Sequence, residues 1–341
     1  MRFGFFKGVA NNYRLHIYSR EYEYINIFTE VNISVNMKKR KKYVDKRNWN
    51  KYNEELVVRG YFYINPRFLQ TWNDEIRQMN AKKVGQPYLY PKSMIEFLAV
   101  LQPKYDVRAL EGIMHALSKM NNNFPIICYT QIHRRINALD ISFPVENNNI
   151  VFNDIVGCDG TGIKVSNRGE WMRQKWKVRR GWIKVTMLGN KHGKIIDVSV
   201  GIETSKENFA FRKMLKIHHE SIGTTYGDGT YYTKANFELC RQLKINPVFK
   251  IREDASDNAN GSMFKKKFVQ EYKKLGYKKW SKKNKYGNRW LCTECIFSAV
   301  KRMEGEYVRA TKKKNMFHEA KMKFWVYNKV REATRENCVV N

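Results

Sequence analysis

The chain is short of four things, and each shortage excludes something. No apolar run approaches the roughly 18 residues that a membrane-spanning helix needs, so no span and no membrane partner are expected. The 6 cysteines (Cys128, Cys158, Cys240, Cys292, Cys295 and Cys338) are scattered, mostly inside apolar runs, with no secretory signal ahead of them. That pattern argues against a disulfide framework and suits the reduced thiols of a cytoplasmic protein. Cys292-x-x-Cys295 lacks the second pair of ligands that a tetrahedral structural zinc site requires. Acidic residues are scarce, with 32 Asp+Glu against 64 Lys+Arg and a formal charge of +32. Such an imbalance implies a polyanionic partner, most often nucleic acid, and leaves binding module and enzyme both open.

What is present is enough to fold. The 341 residues are 43% hydrophobic and 14% aromatic, which excludes a chain too polar to bury a core and allows two or three domains. Residues 1–36 mix aromatics, Ile and Asn without a clear period. Met37 is followed at once by Lys-Lys-Arg-Lys-Lys, so Met37 is read as the natural start and 1–36 as an N-terminal extension.

From Trp49 the apolar residues recur at helical spacing through Tyr63, again from Trp72 to Met79, and again after Pro91-Lys-Ser93. Two more helices follow, one lined by Val107, Leu110, Ile113, Met114 and Leu117, the next by Ile132, Ile136 and Leu139. An Asn-rich turn separates this last pair, giving the outline of a helix-turn-helix capped by Thr130. Its second helix leaves Gln131, Arg134 and Arg135 off the apolar stripe, and such side chains read base edges in a major groove. A polar face is also what any solvated hairpin shows. Residues 37–146 are therefore expected to be an all-helical DNA-binding region.

After a linker at Asn147–Ile150 the period changes to that of strands. Ile155–Val165, Trp182–Leu188 and Lys194–Val200 predict an antiparallel meander, followed by a helix over Glu207–His219, a short strand ending at Asp228, a helix, and a strand at Pro247–Arg252. Residues 253–290 form a basic insertion of lysines interleaved with aromatics. It suits either a phosphate-neutralising surface that stacks an unpaired base or a solvated excursion. The order of three antiparallel strands, helix, strand, helix, strand, helix is ribonuclease H-like, so 147–335 is read as a mixed α/β core.

Arg289 to Arg302 is predicted to be one amphipathic helix. At about 100° per residue, Glu294, Ser298, Lys301 and Arg302 share an arc opposite Ile296, Phe297, Val300 and Met303. The predicted topology brings Asp159, Asp228 and Glu294 together. A carboxylate inside an apolar strand, as at Asp159, is costly without a cation. Three converging carboxylates suit two Mg2+ (or Mn2+) ions that promote an in-line phosphoryl displacement.

These residues resemble the DDE transposases of prokaryotic insertion sequences. The similarity rests on Asp159 in Val-Gly-Cys-Asp-Gly-Thr-Gly, Asp228 in Gly-Asp-Gly-Thr-Tyr, and Tyr286, Arg289, Glu294 and Lys301 against the signature Tyr-x2-Arg-x3-Glu-x6-Lys. One residue too many separates Arg289 from Glu294. The resemblance implies cleavage at terminal inverted repeats and joining of the freed 3′-hydroxyl to target DNA. In that reading Asp159, Asp228 and Glu294 hold the metal, Lys301 holds a phosphate, and Tyr286 and Arg289 contact the terminal nucleotides. Arg252 and Arg302 add DNA contacts, double-stranded DNA is the partner, and the protein works as a homodimer associated with the nucleoid. The alternatives are a decayed element that only binds DNA and a ribonuclease H-like nuclease that cuts without joining.

Overall fold

The computed structural model describes residues 48–143, 153–166, 169–177, 181–256, 258 and 261–337. The expected extension 1–36, the start at Met37 and the linker Asn147–Ile150 lie outside the described residues.

Five helices come first: α1 (Trp49–Tyr63), α2 (Phe68–Asn80), α3 (Lys92–Leu101), α4 (Val107–Met120) and α5 (Tyr129–Ala138). Asn48 caps α1 by accepting the Lys51 N–H, and Asp106 caps α4 by accepting those of Arg108 and Ala109. Six residues of α3 are buried, Met94, Ile95 and Leu98 to Leu101, which puts this helix at the centre of the group. Leu110 and Met114 of α4 and Ile132 and Ile136 of α5 close over it, as their spacing predicts. The expected cap at Thr130 is not made. The helix starts two residues earlier, with Cys128 in the cap position, Thr130 Oγ1 turns back to Cys128 Sγ at 3.1 Å, and the Tyr129 N–H donates to Glu111 of α4 instead.

A mixed sheet follows, made of β1 (Asp154–Val165), β2 (Ile183–Asn190), β3 (Ile195–Ile202), β4 (Ile222–Gly227) and β5 (Asn246–Phe249), in the spatial order β3-β2-β1-β4-β5. β1, β2 and β3 are antiparallel neighbours, while β4 and β5 run parallel to β1. This is the ribonuclease H-like order. A short β6 (Tyr307–Val308) pairs with the far end of β1, and α6 (Gly169–Trp176) lies between β1 and β2; neither is evident in the sequence pattern.

Side chains alternate across β1. Val156 and Cys158 pack with α7 (Glu207–His218) and α8 (Lys234–Gln242), whereas Ile163 and Val165 pack on the other face with α11 (Glu294–Glu304) and α12 (Lys313–Asn337). The segment read as a basic excursion is largely one long helix, α9 (Met263–Lys283), kinked at Gly276 where φ is +68°. Its Val269 is buried against α8 and its Trp280 against Tyr226 and Tyr286, so Trp280 is part of the core rather than a platform for an unpaired base.

The last helix belongs to two cores. Met322, Trp325, Val326 and Val330 complete the core of the five leading helices, and Met316, Ala320, Phe324 and Tyr327 pack under the sheet. Asn328 also serves the exposed edge of β3: its side-chain amide accepts the Ile195 N–H at 3.0 Å and donates to the Ile195 carbonyl at 2.7 Å, as a neighbouring strand would.

Candidate active site

Asp159 lies on the odd-numbered face of β1, which looks toward α11. The pairing of β1 with β4 ends at Gly157 opposite Tyr226, so Asp159 stands beyond the end of β4 with no strand on that side. Its Oδ1 accepts the Gly160 N–H at 2.8 Å. Asp228 is the first residue after β4. It caps a single 3-10 turn (Gly229–Tyr231), accepting the Thr230 N–H at 2.8 Å, and this fixes its carboxylate at the strand's C-terminal end.

The predicted single helix over Arg289 to Arg302 is two. A short α10 (Asn288–Cys292) stops at Thr293, whose φ of −127° and ψ of −73° are not helical, and α11 begins at Glu294. The cause lies in the sheet. Gly157 and Gly189 sit opposite each other on β1 and β2, and together they form a notch that receives the junction. A Cβ on Gly157 would lie 2.7 Å from Cys292 Cβ, and one on Gly189 would lie 2.5 Å from the Cys292 carbonyl oxygen. Only two glycines allow so close an approach.

The break accounts for the irregular spacing before Glu294. On a continuous helix, residues five apart point about 140° away from each other. With the break, Arg289 Nη1 lies 3.0 Å from Asp159 Oδ2 and 3.8 Å from Glu294 Oε1, bridging carboxylates from two elements. The extra residue is taken up at Thr293.

Burial pushes the Asp159 carboxyl up to about 6, helped by the charges of Asp228 and Glu294, while the Gly160 N–H and Arg289 oppose the rise. Asp159 therefore feels the charge of both other carboxylates. The donor set is oxygen only, which suits a hard divalent cation. Among the described residues no three His, Cys, Asp or Glu side chains stand close enough to grip one ion together as they lie. The guanidinium of Arg289 supplies the positive charge between two of them.

The other predicted residues divide. Lys301 is half-buried and Arg302 exposed, two turns along α11 from Glu294. Arg252 is exposed and shares an open cleft of about 480 Å3 with Asp228 and Lys250. Tyr286, expected at the DNA, is instead 9% exposed. Its hydroxyl donates to the Gly227 carbonyl at 3.1 Å, next to Asp228, and burial lifts its pKa to about 12. It braces the end of β4. Gln131, Arg134 and Arg135 lie on α5, away from its buried stripe of Ile132 and Ile136, and the Arg135 guanidinium stacks 5.0 Å from the Tyr90 ring centroid. Sequence reasoning missed the Gly157–Gly189 notch, because its signal is a cross-strand pairing and not a local motif. It also missed Lys250.

The α/β core thus carries Asp159 within its central strand, Asp228 just past the end of the adjoining strand and Glu294 at the start of a packed helix, with Arg289 bridging Asp159 and Glu294. Two family models, each described as a transposase DDE domain, match residues 57–168 and 152–329, the second covering just over half of the chain. The chain belongs to the DDE transposase family and is a DNA transposase, an enzyme class that depends in general on a divalent metal ion. Among solved structures it is similar to the Drosophila P element transposase strand transfer complex, with 10% identity over 80% of this chain and 86% of that one and a TM-score of 0.31. It is also similar to the piggyBac transposase synaptic complex with hairpin DNA (9% identity, 83% and 81%, TM-score 0.24). A third similarity is to the simian T-cell lymphotropic virus intasome bound to the PP2A regulatory subunit B56 gamma (14% identity, 62% and 74%, TM-score 0.22).

Proposed function

We propose that the enzyme cuts its own element at the terminal inverted repeats and joins the freed 3′-hydroxyl to a target phosphodiester, with Asp159, Asp228 and Glu294 as the catalytic, metal-holding residues. The observation that carries this reading is the Arg289 bridge between Asp159 of β1 and Glu294 of α11, with Asp228 just past the end of β4, the strand beside β1. Two Mg2+ ions, or Mn2+, are the cations this oxygen donor set would hold, and when bound they supply activation of the attacking oxygen and stabilisation of the leaving one.

The chain's own residues do the rest. Arg289 bridges Asp159 and Glu294 and so sets their separation. Lys301 presents an ammonium on the same helix as Glu294 and holds the phosphate next to the one attacked, with Arg302 beyond it. Tyr286 sets the end of β4, and through it Asp228. In the helical region, Gln131, Arg134 and Arg135 of α5 read the repeat, the role their side chains suit in a major groove. Two protomers, one per end, act together in a homodimer, and the element is an insertion sequence of prokaryotic type.

The test uses duplexes copied from the inverted repeats that flank the gene. Asp159→Asn, Asp228→Asn and Glu294→Gln are expected to lose cleavage by about a thousandfold or more in Mg2+ and still shift the duplex in a gel. Near-normal cleavage by any one of them removes that residue from the site. A joining assay with a pre-cut end separates a transposase from a nuclease that cuts without joining.

A further inference from the structure

The pairing of β1 with β4 stops at Gly157 and Tyr226, short of both aspartates. Asp159 lies past that point on β1 and Asp228 past it beyond β4, so the ladder between the two strands does not set their separation. The Arg289 bridge joins Asp159 to Glu294 and leaves Asp228 out. Tyr286 braces Gly227, but the turn that Asp228 caps begins after it. Some other contact has to hold that turn against β1.

The start of α7 supplies it. Glu207, the first residue of that helix, accepts the hydroxyl of Tyr231 at 3.4 Å, and Tyr231 is the fully enclosed last residue of the Asp228 turn. The same carboxylate rests on β1: a Cβ on Gly160, the residue after Asp159, would lie 2.6 Å from Glu207 Oε1. Lys184 of β2 holds it there, 3.2 Å from Oε1. Next to it, Asn208 Nδ2 donates to the Thr230 carbonyl at 3.1 Å, and buried Asn236 of α8 donates to the Tyr231 carbonyl at 2.9 Å and to Asn208 Oδ1. A glutamate in the first turn of a helix is ordinarily explained by the helix dipole, and an ion pair with a lysine by surface charge. Neither needs a bare glycine beneath the carboxylate. Glu207 instead faces inward, touching the backbone beside Asp159 and the turn of Asp228 at once.

We propose that Glu207 is a positioning residue for the reaction: by bearing on Gly160 and accepting from Tyr231, it sets the separation of Asp228 from Asp159. The assignment rests on the function proposed above, in which both aspartates hold the metal. Groups that share a cation tolerate misplacement of only about 0.5 Å, and the partners that orient a metal's ligands affect its affinity nearly as the ligands do. Asn208 assists by anchoring the Thr230 carbonyl.

Two variants cut the link at different points. Glu207→Ala removes the carboxylate. Tyr231→Phe removes only a hydroxyl from a ring packed against Phe211 and Phe249, which keeps the fold. The full chain is bound to a pre-cut element end with no target present, and Mn2+ binding is followed by electron paramagnetic resonance. Cleavage of an uncut end is measured in parallel over a range of Mg2+. Each variant is expected to weaken Mn2+ binding about tenfold and to raise the Mg2+ needed for half-maximal cleavage by a similar factor, with duplex affinity changed by less than about twofold. The double variant should be no worse than Glu207→Ala alone, since both changes break one link. Glu207→Gln keeps an acceptor for the hydroxyl and should recover most of the loss. Wild-type Mn2+ affinity in either variant, additive losses in the double variant, or a Glu207→Gln as impaired as Glu207→Ala would overturn the proposal. The last result would mean that Glu207 acts through its charge and not through its contacts. If Asp228→Asn binds Mn2+ and cleaves as the wild type does, the proposed function fails. If Asp228→Asn is inactive while Glu207→Ala and Tyr231→Phe behave as the wild type, the role of Glu207 alone fails.

Discussion

At neutral pH Asp159 carries a charge that its surroundings oppose. With a folded-state pKa of about 6 against an ordinary 3.8, the folded, metal-free protein binds more protons here than the unfolded chain between pH 4 and 6. The contribution is fully favourable below pH 4 and is lost as pH rises through 6. A shift of about two units corresponds to ~3 kcal/mol, the upper limit for a group with some water access. Asp159→Asn is therefore expected to raise the thermal midpoint of the metal-free protein at pH 7 and to change it little at pH 4, as calorimetry at the two pH values would show. A midpoint lowered at pH 7 would mean that Arg289 outweighs the burial. For the active protein the sign is the reverse: cleavage should climb with pH through about 6, as Asp159 becomes available to a cation. The three carboxylates are legible in the sequence because a charge in an apolar strand, or next to a glycine at a strand end, demands a reason. The bridge from Arg289 is not legible, since its spacing matches no regular helix.

The junction of α10 and α11 shows why. Trp290-Leu-Cys-Thr-Glu-Cys continues the helical period smoothly, and no residue in it is a helix breaker. The instruction to break comes from Gly157 and Gly189, more than a hundred residues earlier, whose bare backbones admit Cys292 and Thr293. Gly189→Ala is expected to push the junction off the sheet, because its new methyl meets a backbone carbonyl that cannot turn aside. The expected result is a loss of ~1–3 kcal/mol of stability and a fall of about a hundredfold in cleavage, with DNA binding kept. Equal losses of binding and cleavage would mean general unfolding, not a displaced Glu294. The strands themselves are readable from sequence, because alternation of apolar residues along β1, β2 and β3 reports directly on a buried sheet.

At the scale of the whole molecule, the helix that carries Glu294 is fastened to the leading helices by a buried charge. Glu304 ends α11 with its side chain fully enclosed, 3.1 Å from Lys104 and within reach of the Tyr63 hydroxyl, while Lys323 of α12 donates to its backbone carbonyl. Lys104→Met leaves that carboxylate without its partner and should cost about 1–3 kcal/mol, because Lys104 itself is a third exposed. The double variant Lys104→Met/Glu304→Gln should recover part of that loss in denaturant melts; simple additivity would show that the pair is not coupled. Glu304 on the apolar side is what the helical period of α11 predicts. That the middle of α12 is buried on every side is less legible. Its polar residues Lys323 and Asn328 are among seven consecutive buried positions, Met322 to Asn328, and a stripe-based reading shortens the helix to Glu319–Arg331.

The dual role of α12 bears on how the protein is made. The core of α2 to α5 lacks Met322, Trp325, Val326 and Val330 until α12 has been synthesised, and the Lys104–Glu304 contact spans 200 residues. Contacts of that separation close slowly. On the ribosome, α2 to α5 emerge before the sheet and are sealed last, so a growing chain presents an unfinished apolar surface until α12 arrives.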